Sequence, residues 1–430
     1  MLHIEPIDDL IDVPRTIRVE GLQPGEQVQI DSATVRGQGV TWRSHIVVRA
    51  DEHGVVDLGR QAPVSGSYSG VHHMGLVWSQ APDKAGARDL FPDVVTQPLE
   101  TTVTVKRDNG QVYEKSFIQR LTAAGVRRQE VREHGLVGTV FHPPGPGPHP
   151  AIMILNGSGG GINEPRGAIW ASRGFTAFAL GYFKAPGLSP YISNTPLEYF
   201  ETGLQWMRRE LNPLAGFVAI AGQSRGGELV MLLGSMFPDL VSAVLGYVPS
   251  AVVNCAQNAC DPALGREGFA WLYKGKGIQH VWDGNKTATW DPWDYGPEPR
   301  RHTNALLTSL EDPEAVARAR IPVEKIKGPV LLLSGGDDGS WPSTLYCEMI
   351  KQSLRHHPYP VVHHDYPEAG HLILFPYVPT TQLQYAHPVS GRLSTSGGRP
   401  DVNAIADEHS WQAALAFARQ AVKDTLARNA

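Results

Sequence analysis

The middle of the chain carries short apolar runs, each followed by a longer segment with helical periodicity. The runs that we predict to be buried strands are 151–155, 175–180, 217–221, 241–245 and 330–333. Near-continuous apolar strands are typical of a parallel sheet that is covered by helices on both faces. An apolar stripe at helical spacing lies between the second and third runs, formed by Leu197, Phe200, Leu204, Met207 and Leu211. This alternation predicts right-handed βαβ units and an α/β domain with a doubly wound, mostly parallel sheet.

The N-terminal part of the chain follows a different pattern. Segments with period-two alternation are separated by glycine, proline and asparagine turns, and they cover 16–19, 28–30, 41–48 and 101–105. This pattern predicts a smaller, all-β, immunoglobulin-like sandwich domain. A chain of 430 residues also exceeds what one core usually accommodates. We therefore predict a β-sandwich domain over residues 1–125 and an α/β domain over 126–430, with an aromatic-rich insert at about 254–300.

A G-x-S-x-G motif, residues 222–226, stands between an apolar strand run and a helical segment that we predict from Glu228 onward. A serine on a sharp strand-to-helix turn needs glycine neighbours, because the backbone there is strained and close to other chain segments. The start of the helix would bring N–H groups and a partial positive charge to the serine. We predict that Ser224 is a nucleophile; the alternative is a serine that only caps the helix.

A serine hydroxyl needs a general base near neutral pH, and in folds with this turn an acid and then a histidine follow the serine. The run 330–333 leads into a loop with two aspartates. We prefer Asp338, because its spacing within the loop fits the usual acid position, and Asp337 remains the alternative. His371 follows a glycine in the loop after the next apolar segment, where a base would reach the serine. The three residues in this order predict an α/β-hydrolase fold and a serine hydrolase.

An oxyanion formed during acyl transfer needs two N–H donors. One should be the backbone N–H of Arg225, which follows the nucleophile. The other should come from the glycine-rich loop 156–161, where we prefer Ser158 over Gly159. A phosphate-binding loop is the competing interpretation, but the segment lacks both the Lys-Ser/Thr pair and the G-x-G-x-x-G spacing.

Composition and targeting signals narrow the function classes. The formal net charge of -5 argues against a nucleic-acid partner. We find no apolar stretch of membrane-spanning length, no secretory leader and no peroxisomal terminus, so we expect a cytoplasmic protein. Three cysteines are too few for a disulfide scaffold, and we expect free thiols; the alternative is a cross-link between Cys255 and Cys260, which lie close in sequence. The histidines show no metal-ligand spacing, so we predict neither a metal nor another cofactor.

Several segments resemble one known family over nearly the whole chain. They are 19–22, 74–78, 157–161, 197–200, 224–229, 321–324 and 370–373, together with Asp337-Asp338 followed by Trp341. Their order is similar to that of the acyl-CoA thioesterases related to bile acid-CoA:amino acid N-acyltransferase. In that family a serine nucleophile implies hydrolysis of acyl-CoA thioesters, and a cysteine implies transfer of the acyl group to an amino acid. The resemblance therefore implies that Ser224 serves hydrolysis of a small-molecule acyl substrate.

The insert at about 254–300 departs from the pattern of that family. Its tryptophans could line a pocket for an apolar acyl group, or they could pack a loop that has no core of its own; the candidates are Trp271, Trp282, Trp290 and Trp293. Nearby basic residues could meet CoA phosphates, although solvated surface charge is the simpler role. Alternatives to thioester hydrolysis are an ester, lactone or amide hydrolase, an acyltransferase to a small acceptor, and a catalytically silent binding protein.

Overall fold

The computed structural model describes residues 1–429, which divide into two compact units. The first unit contains residues 1–123 together with 374–383 and 399–411. The second contains residues 124–373, 384–398 and the described chain from 412 onward. Within the described range, no helix is long and apolar enough to cross a membrane.

The first unit is built from two β-sheets around a shared apolar core. Its strands are β1 Leu2–Glu5, β2 Asp8–Leu10, β3 Thr16–Val19, β4 Gln27–Val35, β5 Thr41–Arg49, β6 Val56–Asp57, β7 Ser65–Gly66, β8 Ala81–Pro82, β9 Leu99–Arg107 and β10 Val112–Arg120, with the short helix α1 Gly75–Trp78. Strands β1, β3 and β6 form one sheet, and the others pair around β4, β5 and β9 in the second. Alternate residues of β4 and β5 are buried, as the period-two pattern predicts for a sheet with one face on a core.

The second unit is built on one large sheet with helices around it. Its strands are β11 Arg127–Val131, β12 Val137–His142, β13 Ala151–Leu155, β14 Thr176–Gly181, β15 Thr195–Pro196, β16 Val218–Gln223, β17 Ala243–Tyr247, β18 Trp271–Tyr273, β19 Lys276–Gly277, β20 Val330–Gly335, β21 Val361–Tyr366, β22 Gln384–Ala386 and β23 Leu393–Thr395. Its helices are α2 Glu164–Ser172, α3 Leu197–Glu210, α4 Arg225–Met236, α5 Asp291–Asp294, α6 Thr303–Ser309, α7 Pro313–Ala319 and α8 Ser343–Ser353, and a last helix, α9 Pro400–Asn429, belongs partly to each unit.

Among the described residues, the large sheet has the strand order β11-β12-β14-β13-β16-β17-β20-β21. Strands from β14 to β21 in this order pair in parallel, and β11 and β12 pair antiparallel at one edge. The predicted α/β-hydrolase sheet with a preceding all-β domain is thus confirmed. The strand β11 did not stand out in the sequence, because four of its five residues are exposed and carry no apolar alternation.

The point where the strand order reverses lies between β13 and β16. From β13 the chain adds β14 on one side, then returns to add β16 on the other, with Leu155 paired to Gly222. Ligands of open α/β sheets bind at the carboxyl ends of the strands that flank such a point. The loops that follow β13 and β16 therefore meet where a functional site is expected.

Helix α3 carries the apolar stripe that was predicted between the second and third strand runs. Leu197, Phe200, Leu204 and Met207 are fully buried, and they join the core that the sheet shares with its helices. Glu198 lies in the first turn, while Arg208 and Arg209 lie in the last, which complements the helix dipole at both ends. Phe178 of β14 packs against Trp206 of this helix, with ring centroids 5.1 Å apart.

Phe178→Ala should lower the free energy of unfolding by about 3–5 kcal/mol, because a fully buried ring is lost and its cavity closes only in part. The shift in the urea unfolding midpoint measures this loss. Leu307→Ala is the control, because Leu307 is 39% exposed and its truncation should change stability by no more than about 0.5 kcal/mol. Equal losses in the two variants would contradict the burial of the β14–α3 contact.

Candidate active site

Ser224 lies on the turn between β16 and α4 with φ 58° and ψ -118°. A positive φ is unusual for a residue with a side chain and persists only where the surroundings impose it. A Cβ on Gly222 would lie 2.2 Å from the carbonyl oxygen of Gly226, and one on Gly226 would lie 2.6 Å from that of Leu155. Both positions therefore require glycine. The Ser224 N–H donates to the carbonyl oxygen of Tyr247 at 2.9 Å, which ties the turn to β17.

His371 and Asp338 reach Ser224 from the loops after β21 and β20. The Nε2 atom of His371 is 2.7 Å from Ser224 Oγ, and its Nδ1 atom is 2.8 Å from Asp338 Oδ2. His371 and Asp338 are only 5% and 4% exposed, so water competes little for either hydrogen bond. An ionised carboxylate only accepts, so the imidazole proton belongs on Nδ1 and Nε2 is left to accept the serine proton.

The two candidate aspartates in the loop after β20 face different partners. Asp338 Oδ1 accepts the backbone N–H groups of Ser340 at 2.8 Å and Trp341 at 3.1 Å, so its second oxygen faces His371. Asp337 is half exposed, and its carboxylate pairs with Arg301 at 2.9 Å and accepts the N–H of Gly398 at 3.0 Å. Asp338, not Asp337, is therefore the partner of the imidazole in this structure.

The predicted oxyanion donors lie on two neighbouring segments. Arg225 begins α4, and Ser158 and Gly159 lie in the loop after β13. Within residues 1–429, the backbone N–H groups of these three residues have no protein acceptor. A Cβ on Gly157 would lie 3.5 Å from the Ser224 Cβ, so this loop passes directly beside the predicted nucleophile. These N–H groups are thus available to an oxyanion, and their role remains a prediction.

A buried ion pair beneath Ser224 escaped the sequence analysis. The guanidinium of Arg225 donates to both carboxylate oxygens of Glu228 at 3.0 Å, and to the carbonyl oxygens of Asn254 and Cys255. Glu228 is fully buried and also accepts from Trp271 Nε1 at 2.8 Å and from Asn254 Nδ2 at 2.9 Å. The signal in the sequence was a single glutamate directly before the apolar run 229–233, because such a residue is rarely buried without partners.

The four tryptophans predicted to bind substrate are all buried. Trp271 packs against the rings of Phe200 and Tyr182 while it donates to Glu228. The other three form a second cluster in which Trp282 and Trp290 stack with centroids 3.8 Å apart, and Trp293 contacts His302 at 4.3 Å. These contacts favour the packing role, and substrate binding by the four stays a prediction.

His302 packs against this tryptophan cluster and is buried. Burial lowers the pKa of His302 to about 3, and the neighbouring positive charges of Arg225 and Arg266 act in the same direction. A neutral ring therefore stacks on Trp290 and packs at a tilt against Trp293 at neutral pH. Its protonation would place an uncompensated charge within the core.

The cysteines and possible metal ligands of the described chain offer no second site. Cys255, Cys260 and Cys347 are free, and burial raises the pKa of each thiol. No group of three or more His, Cys, Asp or Glu residues in the range 1–429 is arranged to hold a metal ion. Arg301, one of the basic residues near the insert that could meet CoA phosphates, pairs with Asp337 at 2.9 Å.

Comparisons with known proteins match both units. Residues 12–133 match the model described as acyl-CoA thioester hydrolase/BAAT N-terminal region, and residues 195–424 match BAAT / acyl-CoA thioester hydrolase C terminal. The chain is 33% identical to acyl-coenzyme A thioesterase 6 of Mus musculus, over 97% of this chain and 95% of that protein. It is 30% identical to the peroxisomal succinyl-coenzyme A thioesterase of Mus musculus, over 97% of this chain and 95% of that protein.

Asp338→Asn should slow labelling of Ser224 by a fluorophosphonate by roughly 10³–10⁴-fold, since an amide facing Nδ1 favours the wrong tautomer of His371. The measurement is the second-order labelling rate. Asp337→Asn is the matched control and should label at the rate of the unmodified protein, because its carboxylate faces Arg301. A large loss in Asp337→Asn with none in Asp338→Asn would assign the acid to the other aspartate.

His302 should make the protein less stable in acid. Its folded pKa of about 3 lies below its ordinary value of 6.5, so the unfolded chain binds the proton more readily. The stabilisation is complete above about pH 6.5 and is lost as the pH falls towards about 3. In His302→Phe, the urea midpoint should therefore fall less between neutral and acidic pH. His356→Phe, at an exposed position, should keep the slope of the unmodified protein; the same slope in all three proteins would refute the assignment.

Proposed function

The chain belongs to the acyl-CoA thioester hydrolase/BAAT family, and we propose on that basis that it hydrolyses acyl-CoA thioesters through an acyl-enzyme on Ser224. The observation that supports the proposal most is the continuous hydrogen-bond path from Ser224 Oγ through His371 to Asp338, at 2.7 and 2.8 Å. The names of the relatives supply the substrate class, since the compared proteins are acyl-coenzyme A and succinyl-coenzyme A thioesterases.

In the first half of the proposed reaction, His371 Nε2 takes the proton of Ser224 while Oγ attacks the thioester carbonyl. The negative charge that develops on the carbonyl oxygen is held by the backbone N–H groups of Arg225 and Ser158, with Gly159 as the alternative to Ser158. The C–S bond then breaks, and the CoA thiolate receives the proton from His371. The acyl group remains on Ser224 as an ester.

In the second half, water replaces the thiol. His371 takes a proton from water, the resulting hydroxide equivalent attacks the acyl ester, and Ser224 Oγ leaves with the proton from His371. Asp338 keeps the imidazole in the required tautomer and stabilises its protonated form throughout. The serine ester favours water as the acceptor, because it is less activated towards amines than a cysteine thioester would be.

The electrostatic setting of Ser224 suits this chemistry. Helix α4 begins at the residue after the nucleophile, so the positive end of its dipole lies next to the developing oxyanion. The nearby carboxylates are already engaged, Glu228 by Arg225 and Asp338 by His371. The residues assigned to the reaction all lie within 126–430, and we assign the chemistry to that predicted domain.

Incubation with a set of acyl-CoA thioesters should give an acyl adduct on Ser224 that intact-protein mass spectrometry detects. Ser224→Ala should abolish the adduct and fluorophosphonate labelling, because the other described serine next to a histidine that is backed by a carboxylate, Ser334, is fully buried. Ser235→Ala removes a buried hydroxyl from the same helix α4 and should retain both signals.

The same experiment separates thioester hydrolysis from its alternatives. Release of free thiol and free acid from acyl-CoA, unaffected by added amino acids, is the expected result. Preferential turnover of aryl esters, lactones or amides would replace the substrate class and leave the triad intact. Formation of an acyl-amino acid would indicate transfer in place of hydrolysis, and the absence of any adduct with every activated acyl compound would refute the enzyme.

A further inference from the structure

The predicted oxyanion loop contains a serine–histidine contact of its own, separate from that of Ser224. Ser158 Oγ is 2.9 Å from Nε2 of His387, although the two residues are 229 positions apart. His387 is 5% exposed and lies between β22 and β23. The sequence predicts Ser158 only as a backbone N–H donor, and neither its hydroxyl nor His387 stands out there.

The other ring nitrogen of His387 determines which atom donates in this contact. The backbone N–H groups of Val389 and Ser390 point at Nδ1, at 3.2 and 3.4 Å. An N–H group can only donate, so Nδ1 must carry the lone pair and the ring proton lies on Nε2. His387 therefore donates to Ser158 Oγ, and Ser158 accepts.

This arrangement is the opposite of that in His371. There a carboxylate faces Nδ1, so Nε2 accepts from Ser224 and can take its proton. With its proton already on Nε2, His387 cannot serve as a base for Ser158. Ser158 is thus not a second nucleophile, and the contact needs another role.

The hydroxyl proton of Ser158 is left available. Within residues 1–429, Ser158 Oγ has one hydrogen-bond partner, His387. No protein acceptor in that range takes the hydroxyl proton of Ser158. Ser158 is partly exposed, and the adjacent Gly157 lies against Ser224, where a Cβ would be 3.5 Å from that of the serine. A hydroxyl that already accepts one hydrogen bond is a stronger donor, because successive hydrogen bonds polarise one another.

We propose that the Ser158 hydroxyl is a catalytic residue that donates a third hydrogen bond to the oxyanion, and that His387 is the positioning residue that aims it. This inference rests on the proposed acyl-enzyme at Ser224. In the tetrahedral intermediate, the carbonyl oxygen would receive the O–H of Ser158 in addition to the two backbone N–H groups. No proton is transferred from Ser158, and no bond to it forms or breaks.

The surroundings hold the ring of His387 in the required orientation. The backbone N–H of His387 donates to the carbonyl oxygen of Arg392 at 2.9 Å. The carbonyl oxygen of His387 accepts the N–H of Gly391 at 2.8 Å, and the two bonds close the turn between β22 and β23. Lys184 Nζ donates to the carbonyl oxygen of Pro388 at 2.8 Å, so the turn is also anchored to the chain segment after β14. Because the turn is closed in this way, the Nε2–H group of His387 is held in place next to Ser158 Oγ.

The test compares Ser158→Ala, Ser158→Thr, His387→Ala, His387→Gln and the double variant Ser158→Ala/His387→Ala in the full chain. Acyl-CoA turnover gives kcat and KM, and fluorophosphonate labelling gives an independent rate that also depends on the oxyanion site. Ser158→Ala should lower kcat roughly 100-fold with KM unchanged, since the lost bond forms only as the oxyanion develops. Ser158→Thr keeps a hydroxyl and should recover most of the rate.

The His387 variants separate positioning from a structural role. His387→Ala should lower kcat in the unmodified background and cause no further loss in Ser158→Ala, because its effect passes through the hydroxyl. His387→Gln can still donate an N–H to Ser158, so its kcat should lie between that of the unmodified protein and that of His387→Ala. Leu393→Ala is the control next to the same turn: it removes a side chain that is 61% exposed and should act like the unmodified protein.

Three other results would overturn the role of Ser158, the role of His387 or the proposed function. Full activity of Ser158→Ala, in a chain whose unmodified form is labelled at Ser224, would overturn the role of Ser158 and leave the proposed function standing. An equal loss from His387→Ala in both backgrounds, or a rise in KM alone, would reduce His387 to a structural contact. Failure of the unmodified protein to react with fluorophosphonate at all would overturn the proposed function and this inference together.

Discussion

The geometry of the site depends on one strained turn. Ser224 has a left-handed backbone conformation that is costly for a serine, by about 1–3 kcal/mol, and that the neighbouring segments must therefore impose. Gly222 and Gly226 make this possible, because any side chain at either position would overlap the backbone of Gly226 or Leu155. The close approach brings the end of β16 against the loop after β13. Nucleophile and predicted oxyanion donors are thus placed by the same backbone contact.

The ion pair between Arg225 and Glu228 connects the start of the helix that carries this turn to neighbouring segments. Both side chains are removed from water, which is costly unless every charge is well paired. The carboxylate receives donors from the guanidinium, from Trp271 and from Asn254, and the guanidinium also donates to the carbonyl oxygens of Asn254 and Cys255. The pair therefore links the first turn of α4 to the loop after β17 and to β18. Trp271, which the sequence suggested as a substrate contact, is a partner of Glu228 in this network.

Two histidines near the site illustrate how identical side chains acquire opposite functions. His371 faces a carboxylate through Nδ1, and His387 faces two backbone N–H groups through the same atom. The first ring is left with an acceptor towards Ser224, and the second with a donor towards Ser158. A third histidine, His302, is kept neutral by burial among tryptophans and takes neither part. Chemical role here follows from what the far side of each ring contacts.

The sequence by itself determined the features that arise from local pattern and chain order. Apolar runs with intervening helical stripes predicted the parallel sheet, and the glycines near Ser224 predicted the turn. The order of serine, aspartate and histidine along the chain predicted the candidates for nucleophile, acid and base. Only the tertiary structure decided between Asp337 and Asp338, which are neighbours in sequence but face Arg301 and His371 respectively. It alone brought His387 to Ser158 and buried the tryptophans of the insert. The physical reason is that side-chain direction and long-range contact depend on how distant segments pack, which neither periodicity nor spacing within one segment encodes.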